Sequence, residues 1–308
     1  MKLLIEVPTW LGDTIMATPA IENLLDTYID AEVTVMGSFV STEIFKKHPR
    51  VSHIIVDDTK KKKNRYIALY KLAKDIGRFE IAVSFRSSFT SKLLLFFTGS
   101  KKIYRYKKIL EEKHQVLKYN DFINSILNQN NQAEDLKLYF EPFSYSKPTL
   151  GINPGATYGS AKRWYPQEFA KVAIELSFKY NIVIFGGPGE VDIASDIENS
   201  LKENGIKNYQ NLAGKTAIPE LIEKVAGLDI FITNDSGPMH IAAAFKVPTY
   251  AIFGPTKYKE TNQWNNPNEH IITKNLECAP CMKRVCPLGH HDCMKLITSE
   301  DVLKVINE

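Results

Sequence analysis

Three short stretches combine residue types that could hold an anion or move a proton. "FITNDSGPMHIAAAF" (231–245) runs from an apolar, strand-like segment into Asp235 and Ser236, both of types that cap helices, and then into Gly237 and Pro238. Proline in a first turn sacrifices no useful amide, so the neighbouring N–H groups and the positive end of the helix remain available to an anion. Gly237 would let a ligand approach the backbone, and His240 follows one turn on. Taken singly, Asp235 reads more simply as a cap and His240 as a core histidine; it is their combination that points to the phosphates and ribose of a nucleotide. "NPGATYGSAKRW" (153–164) is a second loop of this kind, in which Gly155, Ala156 and Thr157 offer amides to a phosphate and Lys162 supplies a cation. It lacks the "GKS/T" of a Walker loop, and no GxGxxG occurs in the chain, so ATP hydrolysis and dinucleotide redox chemistry lose support. "IFGGPGE" (184–190) ends in Glu190, which either accepts hydrogen bonds from ribose hydroxyls or simply opens a helix. "WLGDTIMATPA" (10–20) puts Asp13 where a helix should begin, as a cap or as a proton acceptor.

All four cysteines fall in "CAPCMKRVCPLGHHDC" (278–293). The opening C-x2-C suits zinc, but the later spacings match no common finger or ribbon. Free thiols in a packed loop and a structural metal on Cys278, Cys281, Cys286 and Cys293 both stay open.

These stretches need elements to position them. Apolar runs "KLLIEV", "AEVTVM", "HIIVD" and "EIAVSF" alternate with helical patterns at 13–28, 41–47, 64–77 and 88–98, with "KKIYRY", "LKLYF" and a helix at 115–130 to follow. After "EPFSYSKPT" (141–149) the pattern restarts with "TLGINPG", "NIVIFGG", "DIFITND" and "VPTYAIFGP", separated by helices at 166–179, 190–204, 218–227 and 237–245. The order is that of two α/β domains, each a parallel sheet with helices on both faces, and ligands should gather at the C-terminal strand ends.

Charge is uneven. Met1 to Pro148 carry 23 Lys and Arg against 17 Asp and Glu, while the remainder carries 16 against 18. The runs "KKKKNR" (60–65) and "KKIYRYKK" (101–108) are either solvated faces or the footprint of an anionic partner. The N-terminus has no secretory pattern, and the most apolar run, "LLLFF" (93–97), is far short of the roughly 20 residues of a membrane span. The expected place is the cytoplasm.

Together, "PTWLGDTIMATPA", "NPGATYGSAKRW", "NDSGPMHIAAA" with "IFGPT", and the cysteine-bearing tail resemble the ADP-heptose:lipopolysaccharide heptosyltransferases over nearly the whole chain, closest to the heptosyltransferase II branch. The resemblance implies a GT-B fold, with an acceptor-binding Rossmann-like domain over 1–147 facing an ADP-sugar-binding one over 148–308 across a cleft. The last helix could pack back on the first domain. It implies inverting transfer of L-glycero-D-manno-heptose from ADP-heptose to the first heptose of the Kdo2-lipid A core. Carried over by position, Asp13 is the catalytic base, Thr157 and Lys162 contact the phosphates, and Glu190 the ribose. Asp235, Ser236, Gly237 and His240 contact nucleotide and sugar, and Thr216 lies near the adenine. Ser236 replaces a threonine common in the family and keeps its hydroxyl. No metal is required by this chemistry, and no DxD motif is present. The acceptor's carboxylates and phosphates give the basic half a partner, with Arg86, Lys101, Lys102 and Arg105 as contacts. The expected protein is a monomer at the cytoplasmic face of the inner membrane, without a nucleic-acid partner. The alternatives are heptosyltransferase I or III, another GT-B enzyme such as an epimerase, and a non-enzymatic nucleotide-sugar or RNA binder.

Overall fold

The computed structural model describes residues 1–308 and divides the chain into two units, Met1–Tyr139 and Phe140–Glu308. The division falls one residue before the proline-bearing stretch at 141–149.

The N-terminal unit runs β1 (Lys2–Glu6), α1 (Leu11–Met16), α2 (Thr18–Thr27), β2 (Glu32–Gly37), α3 (Phe39–Thr42), β3 (Val51–Val56), α4 (Arg65–Ile76), β4 (Ile81–Ser84), α5 (Phe89–Thr98), β5 (Lys102–Arg105) and α6 (Gln115–Leu127). Its five strands pair in parallel in the order β3-β2-β1-β4-β5. The central strands are apolar on both faces because helices cover both, and Leu3, Leu4, Ile5, Ala82 and Val83 are buried.

The single helix expected over 13–28 is two. Pro19 has no N–H to give the Ile15 carbonyl, and the Thr18 hydroxyl takes that acceptor instead at 2.7 Å. The segment "LKLYF" joins no sheet: Leu136 and Leu138 alternate inward as a strand would, but the Lys137 amide is spent on the Thr18 hydroxyl at 2.9 Å.

The C-terminal unit runs β6 (Thr149–Asn153), α7 (Pro166–Leu176), β7 (Asn181–Ile184), α8 (Val191–Glu203), β8 (Tyr209–Asn211), α9 (Ile218–Ala226), β9 (Ile230–Asn234), α10 (Gly237–Ala244), β10 (Thr249–Ile252), α11 (Tyr258–Thr261), β11 (Glu269–Ile272), α12 (Asp292–Lys295) and α13 (Ser299–Asn307). Its six parallel strands are ordered β11-β10-β9-β6-β7-β8. The short strands β8 and β11 carry too few apolar residues to stand out in the sequence. The last helix, which could have packed on the first unit, packs on α7 and β11 of its own.

The core of this unit is centred on Trp164, Phe169, Ile152 and Ile232. Trp164 is 1% exposed, meets Phe169 edge-on with ring centroids 4.8 Å apart, and donates its indole N–H to the Ile297 carbonyl at 2.8 Å. Trp164→Ala should therefore destabilise the protein by about 3–5 kcal/mol, read from urea unfolding. A cost below ~1 kcal/mol would mean that this core is not the one described.

Candidate functional site

Both sheets reverse their order of strand addition next to their first strand, between β1 and β4 in one unit and between β6 and β9 in the other. Connections leaving such a pair diverge and leave a crevice at the C-terminal strand ends. The residues singled out in the sequence sort mainly to these two places.

In the N-terminal unit a hollow of about 370 Å³ is lined by the β1–α1 turn (Pro8, Thr9, Trp10, Asp13), the turn after β4 (Phe85–Ser88) and the far end of β5 (Tyr106, Lys108). The turn that carries Asp13 is tied down at several points. The Thr14 hydroxyl donates to the carbonyls of Pro8 and Trp10 at 3.1 and 2.8 Å, and Arg86 Nε donates to the Val7 carbonyl at 2.7 Å. Asp13 is not the cap: Trp10 holds that position, makes no side-chain bond, and Asp13 is the third helical residue. It lies near the Tyr119 phenol, whose pKa is well above the ordinary tyrosine value, first because it is buried and next because Asp13 is negative.

Arg86 is a wall of this hollow. Its Nη1 lies 3.4 Å from Glu6 and 3.5 Å from Asp57, an almost buried group of two carboxylates and one guanidinium. Glu6 also accepts from Ser84 Oγ at 2.5 Å and Ser91 Oγ at 2.9 Å. Burial pushes the Glu6 carboxyl above its ordinary pKa, with Arg86 and the two serines opposing. Arg86 Nη2 and Arg65 Nε are buried without a hydrogen-bond partner, and both arginines line the hollow beside Lys60 and Lys108. Arg86, expected as an acceptor contact, is thus also part of a buried ion pair.

The two basic runs contribute different residues from those expected. Lys102 opens β5, in register with Ile81 at the start of β4, and Lys101 just before it pairs with Glu80 at 3.7 Å. They occupy the opposite edge of the sheet from Asp13, because a parallel strand separates its two ends by about 3.3 Å per residue. Arg105, at the C-terminal end, donates to the carbonyl of Ser87, itself a residue of the wall. Arg65, Lys60 and Lys108 come from the quoted runs, but only the fold selects them.

In the C-terminal unit the loop after β6 and the start of α10 meet. Asn234 ties the loop at both ends: its side-chain oxygen accepts from the Trp164 amide at 3.0 Å and its Nδ2 donates to the Pro154 carbonyl at 2.7 Å. Next in the chain, Asp235 Oδ2 lies 2.5 Å from Lys162 Nζ and accepts from the Thr256 hydroxyl at 2.6 Å. Asp235 is therefore a buried partner of Lys162 and not a cap. Ser236 does hold the N-cap position, but its hydroxyl bonds Asn153 at 3.2 Å and Thr233 at 3.1 Å, and no side chain caps the α10 amides. Pro238 is in the first turn, as expected, and His240 is buried in the second. Asn153, Asn234 and Thr256 were missed, although the quoted motifs contain all three.

Glu190 accepts from the Gly187 amide at 2.8 Å, closing the turn that opens α8. Its carboxylate also rests on Gly155, where a Cβ would stand 2.0 Å from Glu190 Cδ. The loop that carries Thr216 joins this group through the Gly214 amide, which donates to Gly186 O at 2.9 Å. Thr157 is exposed at the loop's crest and Thr216 is half-buried.

The cysteine loop buttresses the same region. Ala161 N donates to Arg284 O at 3.1 Å, Tyr158 donates to Met282 O at 3.0 Å, and His291 Nε2 lies 2.9 Å from Ala161 O. The four cysteines are free and line one hollow of about 160 Å³ with His290, His291 and Asp292, but no three such groups converge as metal ligands. Backbone N–H groups of His291, Leu288 and Gly289 lower the Cys286 pKa, whereas burial and then the other three thiols push Cys293 up to about 11. Iodoacetamide at neutral pH, mapped by mass spectrometry, should label Cys286 at least about tenfold faster than Cys293. The reverse order would contradict this arrangement.

Residues 100–291 match the family profile of glycosyltransferase family 9 (heptosyltransferase). The chain is 44% identical to lipooligosaccharide heptosyltransferase 2 of Campylobacter jejuni, over 99% of this chain and 97% of that one. It is 28% identical to lipooligosaccharide heptosyltransferase 2 of Haemophilus influenzae, over 100% and 99%. Among solved structures it superposes on E. coli ADP-heptose LPS heptosyltransferase II with a TM-score of 0.79 at 23% identity, covering 100% of this chain and 98% of that chain. The two parallel α/β units are those of the GT-B class.

Proposed function

The chain belongs to glycosyltransferase family 9, the heptosyltransferases, and on that premise we propose that it transfers L-glycero-D-manno-heptose from ADP-heptose to the first heptose of the Kdo2-lipid A core. The observation that carries the reading is the pairing of Lys162 with Asp235 beside the uncapped start of α10, with Glu190 packed on the same loop. That arrangement suits a nucleoside diphosphate better than any other ligand class the sequence suggested.

The ADP moiety then lies against the loops at 153–163 and 235–240, with Thr157 and Lys162 on the phosphates. Glu190 accepts from the ribose hydroxyls, and Thr216 borders the adenine. Asp235 and Thr256 hold Lys162 in place, while Ser236, Gly237 and His240 complete the contacts to nucleotide and sugar. As the bond to the anomeric carbon breaks, negative charge grows on ADP. Lys162 and the α10 amides stabilise it more in the transition state than in the ground state. ADP leaves without protonation, so a single carboxylate suffices.

Asp13 takes the proton of the attacking acceptor hydroxyl, and direct displacement inverts the anomeric centre. The fixed turn from Val7 to Trp10 sets its place. Catalysis takes no metal in this mechanism. An Asp13→Asn variant should bind ADP-heptose normally by calorimetry while turnover falls by about 10²–10⁴-fold. Turnover within threefold of the parent, at about that threshold, would return Asp13 to a structural role.

The acceptor's carboxylates and phosphates meet the basic hollow around Asp13, with Arg86, Arg65, Lys60 and Lys108 as the cations and Arg105 at its rim. The protein works as a monomer at the inner membrane surface, where a lipid-anchored acceptor is found. Charge reversal at Lys108 should raise the acceptor KM about tenfold and leave the donor KM unchanged, whereas reversal at Lys101 and Lys102 should change the acceptor KM little. An equal effect from both sets would extend the acceptor to the far edge of the sheet.

The decisive assay incubates the protein with ADP-heptose and a truncated core acceptor and looks for ADP and a glycolipid heavier by one heptose. Turnover of ADP-heptose without an acceptor product would favour an epimerase or hydrolase reading.

A further inference from the structure

Residues 59–108 hold fifteen Lys and Arg against two acids, Asp75 and Glu80. Helices α4 and α5 lie side by side within this segment. Their inner faces, with Leu69 and Ala73 from one and Leu94 and Leu95 from the other, pack on Leu4, Met36, Phe79 and Ala82. Their outer faces carry large aromatic side chains that the fold does not cover: Phe96 is 70% exposed, Phe89 62%, Tyr66 59% and Tyr70 48%.

Tyr70 on α4 and Phe96 on α5 are linked through Phe97. Tyr70 meets the Phe97 ring edge-on at 5.4 Å, Phe97 meets Phe96 at 5.9 Å, and Lys74 Nζ lies 5.6 Å from the centre of Tyr70. On α5 the exposed residues Phe89, Lys92 and Phe96 form one stripe, and on α4 Tyr66 and Tyr70 lie one turn apart. Aromatic rings interleaved with lysines on a face of this kind suit the interface of a bilayer, where rings sit among the headgroups and lysines reach anionic lipids. A second copy of this chain suits it poorly, because pairing two such faces would bring two strongly cationic segments together.

We propose that the outer faces of α4 and α5 form a docking surface for an anionic lipid bilayer. The proposal rests on the reading of a lipid-borne acceptor, and adds which face meets the lipid. Binding is reversible, driven jointly by ring insertion and by lysine attraction, and weakens as salt screens the charges. No helix is long and apolar enough to cross a membrane, so the attachment is peripheral.

Sedimentation of the full-length protein with vesicles provides the test. Vesicles of phosphatidylethanolamine with phosphatidylglycerol should bind it at low salt, and vesicles of phosphatidylcholine should bind it far less. Replacing Phe89 and Phe96 by Ser, or separately Lys74 and Lys92 by Glu, should lower binding to the anionic vesicles by about tenfold or more. Transfer to an acceptor without acyl chains should stay unchanged in both double variants, which also reports that they are folded. Parent protein that ignores anionic vesicles, binds both kinds equally, or keeps its binding in both double variants overturns the proposal. If the parent fails to transfer to the acceptor without acyl chains, the functional reading fails instead; the vesicle result is independent, and folding of the variants is then read from thermal unfolding.

Discussion

In each unit the first strand lies inside the sheet, the next strands extend one side, and the chain then returns to build the other. This reversal is the constraint on which the rest depends. Connections from adjacent central strands leave toward opposite faces, so the crevice between them is the one place at the strand ends where loops from distant parts of the chain approach each other. Asp13 and Arg86 line one such place, and Lys162 meets Asp235 at the other.

Within the C-terminal unit, one buried amide turns that topology into a defined loop. Asn234 ends β9 and spans the base of the 154–164 loop, bonding the backbone at both ends. A loop tied at Pro154 and Trp164 has little freedom between them, which sets where Lys162 emerges. The cysteine loop supports the same segment from its other side through Ala161 and Tyr158. The N-terminal unit solves the equivalent problem with charge. Arg86 holds the Val7 carbonyl and is held in turn by Glu6 and Asp57, whose burial is offset by hydroxyls and by the guanidinium.

Much of this was legible as pattern. The βα alternation and the glycine-bearing strand ends follow from residue types whose preferences are local: apolar runs for buried strands, and Pro238 just inside a helix. Boundaries were less legible where a local signal was overridden. Pro19 divides an otherwise continuous helical pattern, and "LKLYF" alternates like a strand without finding a partner, because pairing requires a free edge and not only a pattern.

Residue types and their order set the kinds of chemistry available: an aspartate near the first helix, two glycine-containing loops with a lysine and a glutamate, a helix start without a wasted amide, and two cationic runs. Which members of those sets act together depends on contacts that form only in the folded chain. Lys101 and Lys102 are within four residues of Arg105 in the chain, yet they lie at the other end of the sheet from Asp13, while Arg65, forty residues from Arg105, reaches the hollow. Asp235 looked like a cap and became the partner of Lys162, seventy-three residues away. The reason is geometric: sequence neighbours on a strand are carried apart by its rise, whereas parallel pairing and the reversal of strand order bring remote strand ends to one edge.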